Sequence, residues 1–300
     1  MRRSKNRFDR VDGILLLNKQ SGPTSNASLQ QARRLFNARK GGHTGSLDPL
    51  ATGLLPVCFG EATKVSQYLT DADKRYLAEI TLGVSTDSGD AEGTVITEQD
   101  VDVSLEDITS TLQHFIGRIE QVPPMFSALK KDGQPLYKLA RKGVEVERKP
   151  RVMHVYALDV VSYDGRKLVL SLHCSKGFYV RSLAIDLGAE LGCGAHVSAL
   201  ERTAVGSLSL ADAYTLEQLE AMDADQRLAT LIPVDQGVAQ FPEVHLQMDA
   251  AHMLRQGQPV RAAELPQQGI VRIYGAEGEF LGLGDITADK RVAPRRLLAE

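Results

Sequence analysis

The amino-acid sequence predicts an α+β protein in two unequal parts. One observation is a set of strand patterns. The apolar runs 14–17 and 54–58 are strand-sized, and between Lys167 and Cys174 the residues Leu168, Leu170, Leu172 and Cys174 alternate with other side chains. Period two marks a half-buried antiparallel strand. A second observation is helical spacing at Leu105, Ile108, Leu112 and Phe115, and again at Leu183, Leu187 and Leu191. That spacing gives each helix one apolar stripe. A third is the tail beyond about residue 241, where short strand-like pieces are broken by Gly and Pro. It reads as a small, separate β-rich module.

Bulk properties set the limits. A chain of 300 residues with 43% hydrophobic content suffices for one large domain or two with ordinary cores. No apolar run reaches membrane-spanning length. The Arg-rich N-terminus lacks a following apolar region and cleavage site, so no secretory signal is expected. Cys58, Cys174 and Cys193 are odd in number and far apart, which argues against a disulfide framework and for a reducing cytoplasm. Net charge is −3, but positive charge is clustered. Residues 1–10 carry Arg2, Arg3, Lys5, Arg7 and Arg10 against Asp9, and residues 130–151 carry Lys130, Lys131, Lys138, Arg141, Lys142, Arg148, Lys149 and Arg151 against three acids. Such patches inside an acidic chain are compatible with RNA, although each alone reads as a solvated face.

In chain order, residues 1–12 are expected to be a flexible basic arm. A strand begins at Gly13. Turn chemistry from Asn18 to Ser25 ends in hydroxyls suited to capping a helix over about 26–36. Leu54 to Cys58 is a buried strand, Gly60 to about Leu69 a helix, and Tyr76 to Leu82 a strand. Thr86 to Gly93 is an acidic turn; Asp87 and Asp90 fit no Ca²⁺ loop. Ser104 caps the next helix, which Gly117 stops. Val152 to Tyr163 and Lys167 to Cys174 are strands, followed by the Leu183 helix. Cys193 and His196 are too few for a zinc site. An acidic helix is expected over about 217–227. In the tail, strands are expected over 256–260, 269–274, 279–285 and 291–298.

One stretch stands apart. Gly41-Gly42-His43-Thr44-Gly45-Ser46-Leu47-Asp48-Pro49-Leu50-Ala51-Thr52-Gly53 holds four glycines in thirteen residues, with one acid near the middle. Pro49 pushes Asp48 out of the helical region, so the backbone aims its carboxylate. Read locally, Asp48 is a turn residue bonding its own backbone; loops of this kind also carry chemistry. No Gly-Lys-(Ser/Thr) ending is present, so the loop is not a phosphate-binding P-loop.

The segment from Gly42 to Gly53 resembles the active-site loop of the TruB family of tRNA pseudouridine synthases, ungapped over its length. Similar blocks are Val122-Pro123-Pro124-Met125-Phe126-Ser127-Ala128-Leu129-Lys130, Lys176-Gly177-Phe178-Tyr179-Val180-Arg181-Ser182-Leu183 and Gly192 to Arg202. The resemblance runs from about Gly13 to Leu298. It departs at Gln20, where the family has proline after its lysine.

The resemblance implies a pseudouridine synthase fold: a large mixed, mainly antiparallel sheet flanked by helices over 13–240, then a small β-rich PUA-like RNA-binding domain over 241–300. It implies isomerisation of uridine 55 in the T-loop of tRNA after base flipping. Asp48 would be the nucleophile, Arg181 its ion-pair partner, and Tyr76 the residue against the base and nearest to the C5 proton. His43, Tyr179 and Leu200 would complete the substrate site. Lys19, Lys64, Lys130, Lys131 and Arg141 are candidate RNA-backbone contacts. No metal and no cofactor are expected, and the partner is the tRNA T-arm, bound by a monomer without an obligate protein partner. Local chemistry agrees: a planar, permanently charged guanidinium orients a carboxylate and keeps it ionised.

Two other classes fit parts of the pattern. A non-catalytic RNA-binding or tRNA-folding module would explain the basic patches and the tail, but it has no use for an acid at the target base. An Asp-dependent hydrolase or phosphotransferase would need the carboxylate cluster of a Mg²⁺ site, which the sequence lacks.

Overall fold

The computed structural model describes residues 8–127, 129–131 and 133–299. The basic residues Arg2, Arg3, Lys5 and Arg7 of the expected arm, together with Ala128 and Asp132, lie outside the described residues.

Strand β1 (Gly13–Lys19) is followed by helix α1 (Ser25–Leu35), the short strand β2 (Gly41–His43) and strand β3 (Thr52–Phe59). After a 3-10 turn come α2 (Ser66–Asp71), β4 (Lys74–Leu82), β5 (Val84–Thr86) and β6 (Val95–Glu98). Next are α3 (Leu105–Leu112), β7 (Gly117–Gln121), the pair β8 (Lys130–Lys131) and β9 (Gln134–Pro135), and α4 (Leu136–Ala140). Then follow β10 (Arg151–Tyr163), β11 (Lys167–Cys174), α5 (Val180–Glu190), β12 (Ala195–Val205) and β13 (Leu208–Ser209). Two helices, α6 (Leu216–Ala221) and α7 (Ala224–Ala229), lead to the last part: β14 (Glu243–His245), α8 (Met248–Arg255), β15 (Gly269–Tyr274), β16 (Phe280–Ile286) and β17 (Val292–Leu297).

Among the described residues nine strands form one sheet, ordered β1-β3-β12-β4-β11-β10-β7, with β2 on β3 and β13 on β12. Its pairs are antiparallel except β12 with β3, which run parallel through Glu201↔Thr52 and Arg202↔Gly53. The sheet is therefore mixed and mainly antiparallel. The last strands form a second sheet, β14-β15-β16-β17.

The apolar patterns explain the layers. In α3, Ile108 and Leu112 are buried, and Ser104 closes a capping box with Asp107; such a cap contributes about 1 kcal/mol. They pack with Leu168, Leu170 and Leu172 of β11 and with Leu183 and Leu187 of α5 in one core. Each such side chain contributes about 1.5–3 kcal/mol when fully buried. A second core joins Leu15 and Leu17 of β1, Leu29 and Ala32 of α1, and Leu47 and Ala51 of the glycine-rich loop. Tyr76 and Leu200 pack against both, so they sit on the seam between them. The second sheet encloses its own core with Val244, Leu254, Val271 and Ile273.

Three sequence expectations are corrected, and one element is added. Residues 9–12 are tied to the domain: Val11 is buried, Asp9 N–H bonds Asn37 O at 3.0 Å, and Asp12 accepts from Glu61 N at 2.7 Å. The acidic helix over 217–227 is two helices, because Asp223 leaves the helical conformation and caps the second with its side chain. Residues 256–260 form no strand. Helix α8 ends there, Gly257 turns at φ +86°, and only Val260 bridges, to Val292. Residues 195–205, given no element from sequence, are a central strand.

Candidate active site

The glycine-rich loop is fastened from several sides. Ser25, at the start of α1, donates to Leu47 O at 2.8 Å and accepts from Leu47 N at 2.7 Å. Ala51 N–H closes the turn on Asp48 O at 3.1 Å, and Gly22 N–H bonds Pro49 O at 2.9 Å. Lys19 Nζ donates to the carbonyls of Gln20, Pro49 and Ala51 at 3.0, 3.2 and 2.7 Å. Arg202 donates to Gly45 O at 3.0 Å and to Leu54 O at 2.7 Å. Gly53 must be glycine: its φ is +97°, and a Cβ there would stand 2.4 Å from Arg202 O. The loop is thus a rigid support of the kind a reacting group needs.

Asp48 projects from this support with its side chain 44% exposed, and Arg181 Nη2 lies 2.9 Å from its Oδ2. Arg181 starts α5 and is itself buried. Its Nη1 faces Asp90 Oδ2 at 3.4 Å and donates to Ser88 O at 3.3 Å, while Nη2 also donates to Phe126 O at 2.7 Å. One guanidinium therefore spans two carboxylates, the open Asp48 and the buried Asp90. Asp90 is held by Ser88 Oγ at 2.6 Å and by a bridge to Val197 of β12.

The protein mass around Asp48 holds its carboxyl above the usual range. Burial raises it most, Arg181 pulls it down, Asp90 raises it and Lys19 lowers it. Burial likewise pushes up the phenols of Tyr76 and Tyr179, and the Asp48 charge reaches both. Burial, opposed by Asp48, brings the Lys19 ammonium down to about 8. His43 is pushed down by burial and then by Arg202, and its Nδ1 is buried without a hydrogen-bond partner. Tyr179 is clasped through its backbone, N–H to Gln121 Oε1 at 2.8 Å and O from Gln121 Nε2 at 3.0 Å.

The structure brings Asp48, Arg181, Tyr76 and Tyr179 into one electrostatic neighbourhood, with Leu200 on the seam beside Tyr76. Lys19 does not fit a role on the RNA backbone: it is 1% exposed and its ammonium is committed to carbonyls inside the protein. Lys64 is also engaged, with Leu297 O at 2.8 Å and Glu61 at 2.6 Å. Lys130, Lys131 and Arg141 are exposed, and Arg141 lies over the Tyr137 ring. Sequence reasoning missed Asp90 as the second partner of Arg181, and Lys19 and Arg202 as supports of the loop. No local signal ties Asp90 to Arg181; only the pairing of the turn with β12 does. Among the described residues no group of three or more His, Cys, Asp or Glu side chains is placed to hold a metal ion. No helix among them is long and apolar enough to cross a membrane.

Comparison with known proteins gives three family-model matches. Residues 33–180 match the TruB family pseudouridylate synthase N-terminal domain. Residues 181–239 match the tRNA pseudouridylate synthase B C-terminal domain, and residues 242–298 match the pseudouridine synthase II TruB C-terminal model. The chain is 52% identical over 292 residues to a tRNA pseudouridine synthase B of Pseudomonas aeruginosa (strain UCBPP-PA14), covering 96% of each chain. It is 54% identical over 289 residues to that of Thiobacillus denitrificans, again with 96% coverage of each. Among solved structures, a Cbf5-Nop10-Gar1 complex contains a chain matching with TM-score 0.74 at 26% identity, over 95% of this chain and 84% of that one. A second, from an H/ACA RNP bound to a substrate RNA containing 2'-deoxyuridine, matches with TM-score 0.73 at 24% identity, over 96% and 85%; it bears on the fold alone.

Proposed function

The chain belongs to the TruB family of pseudouridylate synthases, and we propose that it converts uridine 55 in the T-loop of tRNA to pseudouridine with Asp48 as nucleophile. The observation that carries the assignment of Asp48 is its pairing with Arg181 at 2.9 Å, in which the arginine is buried and the carboxylate is open to an incoming nucleotide.

The target base must leave its stack to reach Asp48. Tyr76 and Leu200, on the seam between the two cores, offer it an aromatic ring and an apolar side chain, a common way to hold an unstacked base. Arg181 orients the Asp48 carboxylate and favours its ionised form. Carboxylate attack at the sugar has a parallel in glycoside chemistry. A route in which Asp48 opens a glycal requires the same ionised carboxylate at the same place. The N1–C1′ bond breaks, the uracil turns, and C5 joins C1′. Loss of the C5 proton then returns the ring to aromatic conjugation, and N1 takes a proton from solvent. In this reading Tyr76 receives the C5 proton. No step uses a metal or nucleotide cofactor.

The chain is read as a catalytic domain over 13–240 and a PUA-like RNA-binding domain over 241–300. The exposed Lys130, Lys131 and Arg141 would follow the phosphate backbone. A tRNA substrate and three buried free thiols suit a reducing cytoplasm. The chain is taken to act as a monomer without a protein partner.

The test is incubation with an unmodified tRNA transcript, without metal or nucleotide, and mapping of pseudouridine at nucleotide resolution. Conversion at one T-loop position is expected. Binding without conversion would transfer the chain to the class of non-catalytic RNA-binding modules.

A further inference from the structure

Arg202 is 1% exposed and heads the largest fully buried side chains. It lies on β12 directly opposite Tyr76 on β4, and the polar ends of the two side chains interact. Two of its nitrogens are fixed by Leu54 O at 2.7 Å and Gly45 O at 3.0 Å. Among the described residues no carboxylate accompanies it; Tyr76 is the one group whose charge would favour the guanidinium. Burying a cation without a counter-ion is expensive, and a Met or Leu would fill the same space more cheaply. The two carbonyls explain how the guanidinium is tolerated. They do not explain why a charge is present.

We infer that Arg202 is a positioning residue that acts through Tyr76: it donates to the Tyr76 hydroxyl oxygen, fixes the phenol beside Asp48 and stabilises its phenolate form for removal of the C5 proton. This rests on the reaction proposed above. In that step the C5–H bond breaks and its electron pair forms the C5–C6 double bond. The π pair of the N1=C6 double bond moves onto N1, which takes a proton from solvent. The proton from C5 passes to the phenolate oxygen, giving a neutral phenol that later returns the proton to solvent.

The surroundings of Tyr76 fit this role. Burial pushes its phenol up, and Arg202 is the largest influence in the other direction. The other titratable groups facing it are Cys174 of β11 and Asp48 of the loop, and both act against the phenolate. The Cys174 thiol is itself pushed up to about 12, so it stays neutral at working pH. Arg202 also touches the loop through Gly45, so one side chain holds the two reacting elements in register.

The experiment follows single-turnover conversion of tRNA carrying protium or deuterium at uridine C5, for Arg202→Gln and Arg202→Lys, each in the Tyr76 and Tyr76→Phe backgrounds. General-base contributions run to about 10²–10⁴-fold. Arg202→Gln is expected to slow conversion by at least about tenfold on that scale. It should also enlarge the deuterium effect and make the rate climb towards higher pH. Arg202→Lys should restore part of the rate. In the Tyr76→Phe background Arg202→Gln should slow conversion by much less, since only its hold on the loop remains to be lost. Equal, additive losses in both backgrounds, or a loss with unchanged isotope effect and pH profile, would overturn the inference.

If the arginine variants do not fold, the unaltered chain carries the test. Its arginine side-chain ¹⁵N resonances should include a slowly exchanging guanidinium that shifts on Tyr76→Phe; no shift would overturn the contact. If the unaltered chain converts no uridine, the proposed reaction fails. The Arg202–Tyr76 contact is still judged by the resonance.

Discussion

Arg181 and Asp48 meet at 2.9 Å across a solvent boundary, with 6% of the arginine side chain exposed and 44% of the aspartate. The second carboxylate on the same guanidinium, Asp90, is 5% exposed. Asp90 therefore helps to hold the guanidinium in place, and the guanidinium helps to hold Asp48. This order, from a buried anchor to an open reactive group, is what a nucleophile needs for a fixed aim.

Replacing Arg181 should move the acid limb of the pH profile. Asp48 works as a carboxylate, its carboxyl already lies above the usual range, and Arg181 is the main influence holding it down. Arg181→Lys keeps a charge but loses the two-sided fork, and Arg181→Met removes both. Activity should then be lost at progressively higher pH as pH falls, most for Met. Single-turnover conversion from pH 5 to 9 measures it. An unchanged acid limb would separate Arg181 from the ionisation of Asp48.

Gly53→Ala should damage both stability and rate. The residue is held at φ +97°, and the new Cβ would stand 2.4 Å from the backbone oxygen of Arg202. Strain of this kind costs about 1–3 kcal/mol before any clash. The thermal midpoint should fall, and conversion at a temperature where the variant is folded should fall too, since β3 must shift against β12. A normal rate in the folded variant would show that the register of these strands does not set the site.

The three thiols should be silent in the folded protein. Cys58, Cys174 and Cys193 are buried, and burial pushes Cys58 and Cys174 up to about 12. A thiol reagent should modify none quickly in native buffer and all three in denaturant. Fast native labelling would contradict the packing of β3 and β11.

Lys130→Glu with Lys131→Glu should weaken tRNA binding and flatten its salt dependence. Each lost phosphate contact removes about 0.7–0.9 from the slope of log K against log salt. Filter binding from about 50 to 300 mM salt reads this slope. The rate at saturating tRNA should hold. An unchanged slope would place the RNA track elsewhere.

The parts of this architecture legible in sequence are those written locally. Period two in residues 167–174, the Ser104 cap and the Gly-Pro chemistry around Asp48 each depend on neighbours a few positions away. Asp90 and Arg202 depend on tertiary pairing. Strand β12 was hidden because its register slips between Val197 and Ala199 and again between Arg202 and Ala204, which breaks the alternation, and because a buried arginine sits where an apolar residue would signal a central strand. Lys19 reads as a surface lysine until the turn folds back and supplies its carbonyls. The resemblance pointed to Asp48, Arg181 and Tyr76. It gave no account of what holds them.

The most direct test of the central claim is Asp48→Asn, compared with the unaltered chain for pseudouridine formed in, and affinity for, the same unmodified tRNA. The substitution keeps the size of the side chain and removes the nucleophilic charge. Conversion should disappear while affinity stays within a few-fold. Pseudouridine forming with the Asn variant would remove Asp48 from the role of nucleophile.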